Sequence, residues 1–521
     1  MRRHPATLFG TLLAAALMLT AAAPVAGAAP TQCAPDAAAP KQQLRAEWIA
    51  SVTNIDWPSR PGLPADQQKA ELVRWYDEAV ALGLNAVVVQ IRPTADAFWP
   101  SEYEPWSQWL TGAQGQAPGY DPLKFAVEEA HRRNLEFHGW FNPFRVSMNT
   151  DVNALVPTHP ARVHPDWVVA YGGKLYYNPG IPEVRKFTID AIMDAVKRYD
   201  IDAVHFDDYF YPYPVAGQTF DDTAAYARYG GSLPLADWRR KNIDSLISGL
   251  SSAIRSAKPW VQFGVSPFAV WRNAATDPAG SPTQAGVQTY DDLYADTVKW
   301  VKEEWLDYIA PQVYWNIGFE VADYARLVPW WSSVVSGTRV NLYIGHANHK
   351  VANPAQPAAW QDPAEMSRQL TFNRDHPQVK GDIYFSAAQV RANRLGHMSI
   401  VRADHYQHPA LPPTAGRLTG RGPSAPLFAD ATRTSTGLRI RWLSNAATSF
   451  AVYRLDGHRF VERCDLADAS HLVGTVRAVR GPLQSFTDPT AVPEQRYTYL
   501  VTALDRSHNE SGPSMPRFTI A

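Results

Sequence analysis

The chain reads as an α/β protein, a closed TIM-type (β/α)8 barrel followed by a small all-β, immunoglobulin-like sandwich. Three observations predict this. Eight short β-rich runs alternate with amphipathic helical stretches from residue 46 to about 390, the pattern of a parallel barrel. Within several runs, polar side chains alternate with apolar ones and gather toward the C-terminal end, so one face meets helices and the other the barrel interior. From about residue 422 the pattern changes to short strands at close spacing, as in a β-sandwich. An open doubly wound sheet is the alternative for the first part; eight units and the length favour closure.

Residues 1–28 read as an export signal. Arg2 and Arg3 supply charge, an apolar run covers 8–23, and Ala26-Gly27-Ala28 is a small-residue cleavage site. A retained membrane span is the alternative, although the run is short for a bilayer. An extension over 29–45 leads to the first strand, "AEWIASV" (46–52). The next seven are "AVVVQIR" (86–92), "EFHGWFN" (136–142), "DAVHFDD" (202–208), "VQFGVSP" (261–267), "DYIAPQVYW" (307–315), "VNLYIGH" (340–346) and "DIYFSA" (382–387). Helical stretches such as "QKAELVRWYDEAVALG" and "VRKFTIDAIMDAVKRYD" separate most of them. The barrel spans 46–405, a linker 406–421 and the sandwich 422–521. The sandwich has no acid cluster and is expected to act as a spacer, or to dock to a wall or protein partner.

Lys plus Arg number 49 and Asp plus Glu 50, a formal net charge of −1. That gives no support to nucleic-acid or acidic-membrane binding. The 18 Trp and 23 Tyr suit the C–H faces of sugars, and they also fill cores. Cys33 and Cys464 are the two cysteines. After export an even pair invites a disulfide, with two free thiols as the alternative.

The stretch "IDAVHFDDYFYPYP" (201–214) ends an apolar strand in two adjacent aspartates. Burying either is costly unless it is paired or hydrogen-bonded. Val204 and Phe206 set the strand parity, so His205 and Asp207 face the barrel mouth, where the active sites of such barrels lie. Asp208 follows where the strand gives way to a loop. Long aromatic loops after the second and third strands offer walls for a cleft; a structural hairpin within the third is equally compatible.

These residues resemble the glycosyl-hydrolase-like 10 family of exported bacterial proteins. The matching stretches include "NIDWP", "VQIRPTADAFWPS", "EPWSQWLTG", "PGYDPLKFAVEEAHRRNLEFHGWFNPFR", "YYNPGIPEVR", "HFDDYFYP", "GVSPFAVWRN" and "DYIAPQVYW". The C-terminal part resembles a fibronectin type III domain, with "TALDRSHNESGPS" matching its final strand and tail. The resemblance implies a TIM-type barrel and glycan cleavage, with bacterial cell-wall glycan (peptidoglycan) as a substrate for some members; a non-catalytic glycan-binding or cell-wall scaffold protein on a barrel that has lost catalysis is the alternative. No cofactor is expected.

Glycoside hydrolysis usually needs two carboxyl groups. Asp207 is the first candidate, and Asp208 is the second carboxylate or an orienting group. As neighbours on a strand they point to opposite faces and do not simply flank a bond. The alternative is a structural pair. Other possible acids are Asp96, Glu102 and Glu104. Many barrel glycosidases end strands four and seven in Glu; here strand seven ends "YIGHANHK". "DAVHFDDYFYP" is also similar to the strand-four signature of chitinase-type barrels, whose acid Glu would fall at Tyr209. Arg92, Asn142, Arg145, Gln312, Tyr314, Trp315 and His346 end strands or begin loops, as expected of sugar contacts. With Asp96, His205 and Tyr209 they complete the polar substrate-binding set; Trp99, Trp106 and Trp271 are candidate stacking platforms. His346 and His349 with Asp207 and His205 form no tight metal motif.

Overall fold

The computed structural model describes residues 33–462 and 464–521. The export signal expected over 1–28 lies outside the described residues. Among those described, no helix is long and apolar enough to cross a membrane.

Eight parallel strands close into a barrel. They are β1 (Leu44–Ile49), β2 (Ala86–Arg92), β3 (Glu136–Phe141), β4 (Ala203–Phe206), β5 (Gln262–Val265), β6 (Tyr308–Ile309), β7 (Asn341–His346) and β8 (Val379–Tyr384). Each strand pairs with the next, and β8 closes on β1. The expected sixth strand is the most shortened, because Pro311 has no N–H to donate to a ladder. Local chemistry sets the helices between. Asp121 caps Pro122–Arg132, its carboxylate accepting from Lys124 N–H, with proline as the first helical residue. Gly83, at φ 85°, ends Ala65–Leu82 in the left-handed conformation.

Strand parity divides the core. Val87, Val89 and Ile91 of β2 pack on the helices, while Ala86 and Val88 face inward with Trp48, Trp140, Tyr308 and Tyr343. In strand eight the apolar–polar alternation of Ile383 and Phe385 against Tyr384 and Ser386 predicts Ile383 toward the helices and Tyr384 inward, and the structure reverses it. Ile383 points inward and Tyr384 outward, because the Tyr384 hydroxyl bonds Tyr406 in the helix layer. Gly264 of β5 makes room for the Tyr308 ring; a Cβ there would sit 2.1 Å from it. The long loop after β3 does hold a three-stranded antiparallel insert, Arg145–Ser147, Lys174–Tyr177 and Val168–Tyr171.

The sandwich has strands β9 (Leu427–Thr434), β10 (Gly437–Leu443), β11 (Ser449–Asp456), β12 (Leu472–Arg477), β13 (Leu483–Asp488), β14 (Arg496–Leu504) and β15 (Arg517–Ile520). One sheet runs β9-β10-β13 and the other β12-β11-β14-β15, enclosing Trp442, Phe450 and Tyr499. This is the immunoglobulin-like arrangement predicted. The sandwich packs on the N-terminal end of the barrel, where His508 Nε2 lies 2.6 Å from Glu136 Oε1 at the start of β3. Lys41 pairs with Glu510 at 2.7 Å, and Arg417 of the linker with Asp307 at 2.5 Å. Cys33 and Cys464 are joined in a disulfide, tying the segment before β1 to the sandwich.

A polar column runs along the barrel axis above His508. Trp48 Nε1–H donates to His205 Nε2 at 3.0 Å. His205 Nδ1–H therefore donates to the Tyr308 hydroxyl at 3.0 Å. That hydroxyl donates to His138 Nδ1 at 3.0 Å, and His138 Nε2–H donates to Glu136 at 3.2 Å. Burial, and then the nearby His138, hold His205 neutral, its pKa well below the usual value.

Candidate active site

A cavity of about 250 Å³ opens at the C-terminal mouth, lined from the ends of all eight strands. Asp207 and Asp208 both line it. Their opposite-face expectation fails because β4 ends at Phe206, so neither aspartate obeys strand alternation. Each carboxyl is held from a different side. Asp207 Oδ2 accepts from Trp140 Nε1–H at 3.2 Å and from the Asn142 amide, and its Oδ1 accepts from Tyr209 N–H. Asp208 accepts from the Tyr213 hydroxyl and, at 3.0 Å, from Gln312 Nε2–H.

Burial first, and then the charge of Asp208, push the Asp207 carboxyl up to about 7. Burial also raises Asp208, against the hydrogen bonds from Tyr213 and Gln312. Two like charges side by side oppose each other, so ionisation of one carboxyl disfavours ionisation of the other. Among the described residues they are the only carboxylates lining the cavity.

Six predicted residues meet at this cavity: Asp207, Asp208, Arg145, Tyr209, Gln312 and Tyr314. Two more lie directly beneath. Asn142 bridges Asp207, Gln90 at 2.6 Å and Arg145 at 2.8 Å. His205 supports Trp48, which lines the cavity.

The others lie elsewhere, each for a visible reason. Arg92 is wholly buried, forks onto Glu104 and donates to the Asn142 and Pro143 carbonyls, so it braces the loop after β3. The same pairing occupies Glu104; Glu102 is exposed on its loop. Asp96 is buried in its loop, its Oδ1 accepting from Thr94 N–H. Trp99 is core, donating to Asp194 at 2.8 Å, and Trp106 packs against the same core. Trp271 donates to Asp296, and Trp315 packs edge-on against Phe268; neither lines the cavity. His346 shares the parity of Leu342 and Ile344, so it turns to the helix layer and meets Asp382 at 2.8 Å. The set His205, Asp207, His346 and His349 is thereby split. Among the described residues, no group of three or more His, Cys, Asp or Glu is arranged to hold a metal ion.

A family model described as Glycosyl hydrolase-like 10 matches residues 43–362. The chain belongs to the glycosyl hydrolase-like 10 family. This family member is 50% identical over 483 residues to glycosyl hydrolase YngK of Bacillus subtilis (strain 168), covering 91% of this chain and 92% of that one. It is 42% identical over 365 residues to glycosyl hydrolase DigH of Escherichia coli (strain K12), covering 66% of this chain and 83% of that one. Among solved structures, the PgaB (BpsB) glycoside hydrolase domain from Bordetella bronchiseptica aligns with TM-score 0.46 and 14% identity, over 70% of this chain and 99% of that one. The family member is a glycoside hydrolase and its substrate is a glycan.

Sequence reading did not select Trp48, Trp140 or Phe385 as cavity walls in this family member, and named His349 only in a candidate metal set. Parity would have found two of them. Trp48 follows Leu44 and Ala46 on the inward face of β1, and Trp140 follows His138 on that of β3. His349 packs edge-on against Tyr314, and its buried Nδ1 has no partner among the described residues. Burial, and then Lys350, hold it neutral, near 4.

Proposed function

We propose that this glycoside hydrolase is exported and cleaves N-acetylated glycan strands of the bacterial cell wall, with Asp207 as general acid and Asp208 as its charge-stabilising neighbour. One observation carries the reading: Asp207 and Asp208 are the only carboxylates at the cavity among the described residues, and they approach it as chain neighbours. Extracytoplasmic placement is supported by the Cys33–Cys464 disulfide, since such bonds persist in oxidising compartments.

Asp207 supplies the proton, since its raised pKa keeps a protonated fraction near neutral pH. The proton passes to the glycosidic oxygen, and the C–O bond to the anomeric carbon breaks as the leaving sugar takes up its electron pair. Asp208, as a carboxylate accepting from Tyr213 and Gln312, faces the positive charge that grows on the sugar ring. Beyond this adjacent pair, no third carboxylate of the described residues lines the cavity to attack from the other face. The 2-acetamido oxygen of the substrate fills that role, and a water deprotonated by the Asp207 carboxylate then opens the cyclic intermediate. Trp48, Tyr314 and Phe385 supply an aromatic wall for the ring.

The test is release of new reducing ends from purified wall glycan by the parent chain and by Asp207→Asn. A fall of roughly a hundredfold or more is expected, the scale of a lost general acid, with glycan binding retained. Turnover at the parent rate in Asp207→Asn would remove Asp207 from the chemistry. Binding without turnover by the parent chain would overturn the reading itself.

A further inference from the structure

A second cleft, of about 530 Å³, lies outside the catalytic cavity. Its walls come from the loop after β3, including the 3-10 turn Pro165–Trp167, and from helix Thr223–Tyr229 in the loop after β4. The same two loops deliver Arg145, Asp207 and Asp208 to the catalytic cavity.

Asn178 is about 95% buried, with 5% of its surface exposed, and lines the cleft. Its Oδ1 accepts from Gly180 N–H at 2.9 Å, while its amide nitrogen is open to solvent and is not a stranded buried donor. In the cleft it can donate to water or to a ligand acceptor. Beside it, His164 stacks on Trp167 at 4.2 Å and 13°. Around the rim stand Glu183, Asp221 and Arg228, none of them in an ion pair within the described residues. A metal ion is disfavoured, since no ligand group of three or more is assembled among the described residues. An amide donor at the floor, an aromatic wall and rim groups that both accept and donate suit a polyhydroxylated ring with one apolar C–H face.

We infer that this cleft is a second glycan-binding site, which seats a sugar of the polymer at a distance from the bond being cut. The inference rests on the glycan-hydrolase reading and adds a place where long substrates gain affinity that short ones do not. A chain lying along the loops after β3 and β4 engages both cavities at once, so the second contact raises effective concentration at the first.

The test uses His164→Ala and Asp221→Asn, singly and together, because both side chains are exposed and neither lines the catalytic cavity. Binding to purified insoluble wall glycan is read in the Asp207→Asn background, and turnover in the parent background. With the double change, polymer binding and kcat/KM on the polymer fall about tenfold, the scale of one or two lost contacts. Turnover of a short soluble oligosaccharide stays at the parent value. Unchanged polymer binding and turnover would overturn the inference while leaving the hydrolase reading intact. Equal loss on short and long substrates, or displacement by a wall-derived peptide but not by an oligosaccharide, would also overturn it. A parent chain that neither binds nor cleaves any glycan removes both readings.

Discussion

Replacing His508 by alanine tests whether the sandwich is a structural part of the barrel. In the parent, His508 Nδ1 faces the Pro413 carbonyl at 3.1 Å and Nε2 faces Glu136 at 2.6 Å. Both partners accept, so the ring is an imidazolium. Burial works against this charge, and Glu136 then raises the His508 pKa above its usual value. Burial likewise disfavours the Glu136 carboxylate, but the facing histidines hold its pKa well below the usual range. Removing one partner of a buried pair leaves the other charge uncompensated, at about 3–5 kcal/mol. Glu136 keeps its bond from His138, so the low end applies, about 3 kcal/mol. At about 2.1 cal/mol/K per residue, a 521-residue chain has an unfolding entropy of about 1 kcal/mol/K. His508→Ala should therefore lower Tm by about 3 °C if the chain melts as one unit. Glu136→Gln with His508→Ala should cost less than the two singles added together, because no charge is then stranded.

The same pair sets a pH signature. His508, with its raised pKa, stabilises fully below its unfolded value near 6.5 and loses this as pH rises through the folded value. Glu136, with its lowered pKa, stabilises above its unfolded value near 4.5 and loses this as pH falls through the folded value. The pair contributes most between those two values. Scanning calorimetry across pH 4–9 should find the alkaline slope of the parent flattened in His508→Ala. A variant melting within a degree of the parent, with the same slope, would refute the argument.

Three further outcomes are expected. Activity should decline as pH rises through about 7, where Asp207 loses its proton; a pH–rate profile of kcat/KM checks this, and in Asp207→Asn the limb should vanish. Tyr213→Phe, which removes a hydrogen bond to Asp208, should lower kcat by about tenfold and shift that limb to higher pH, with KM nearly unchanged. Reduction of Cys33–Cys464, which spans 431 residues of chain, should lower stability by about 2–4 kcal/mol, read as the shift in urea midpoint with and without reductant.

The barrel was legible in the sequence because its signals are local and repeated. Apolar runs alternate with amphipathic helical stretches eight times, and strand parity assigned His205 inward from Val204 and Phe206 alone. The aspartate pair was legible for the same reason: two acids at the end of an apolar strand violate a local rule. Parity also held the answer for His346, which follows Leu342 and Ile344, and for Trp48 and Trp140. What the sequence could not supply was long-range partnership. Nothing local reveals that Arg92 is spent on Glu104, that Trp99 meets Asp194, or that strand four stops one residue before Asp207. Nor does spacing reveal that His508, 372 residues beyond Glu136, completes the far end of the barrel. These contacts depend on which strands and loops the closed sheet brings together. The physical reason is that secondary structure follows side-chain periodicity, whereas the ionisation of a buried group is set by neighbours the chain meets only after folding.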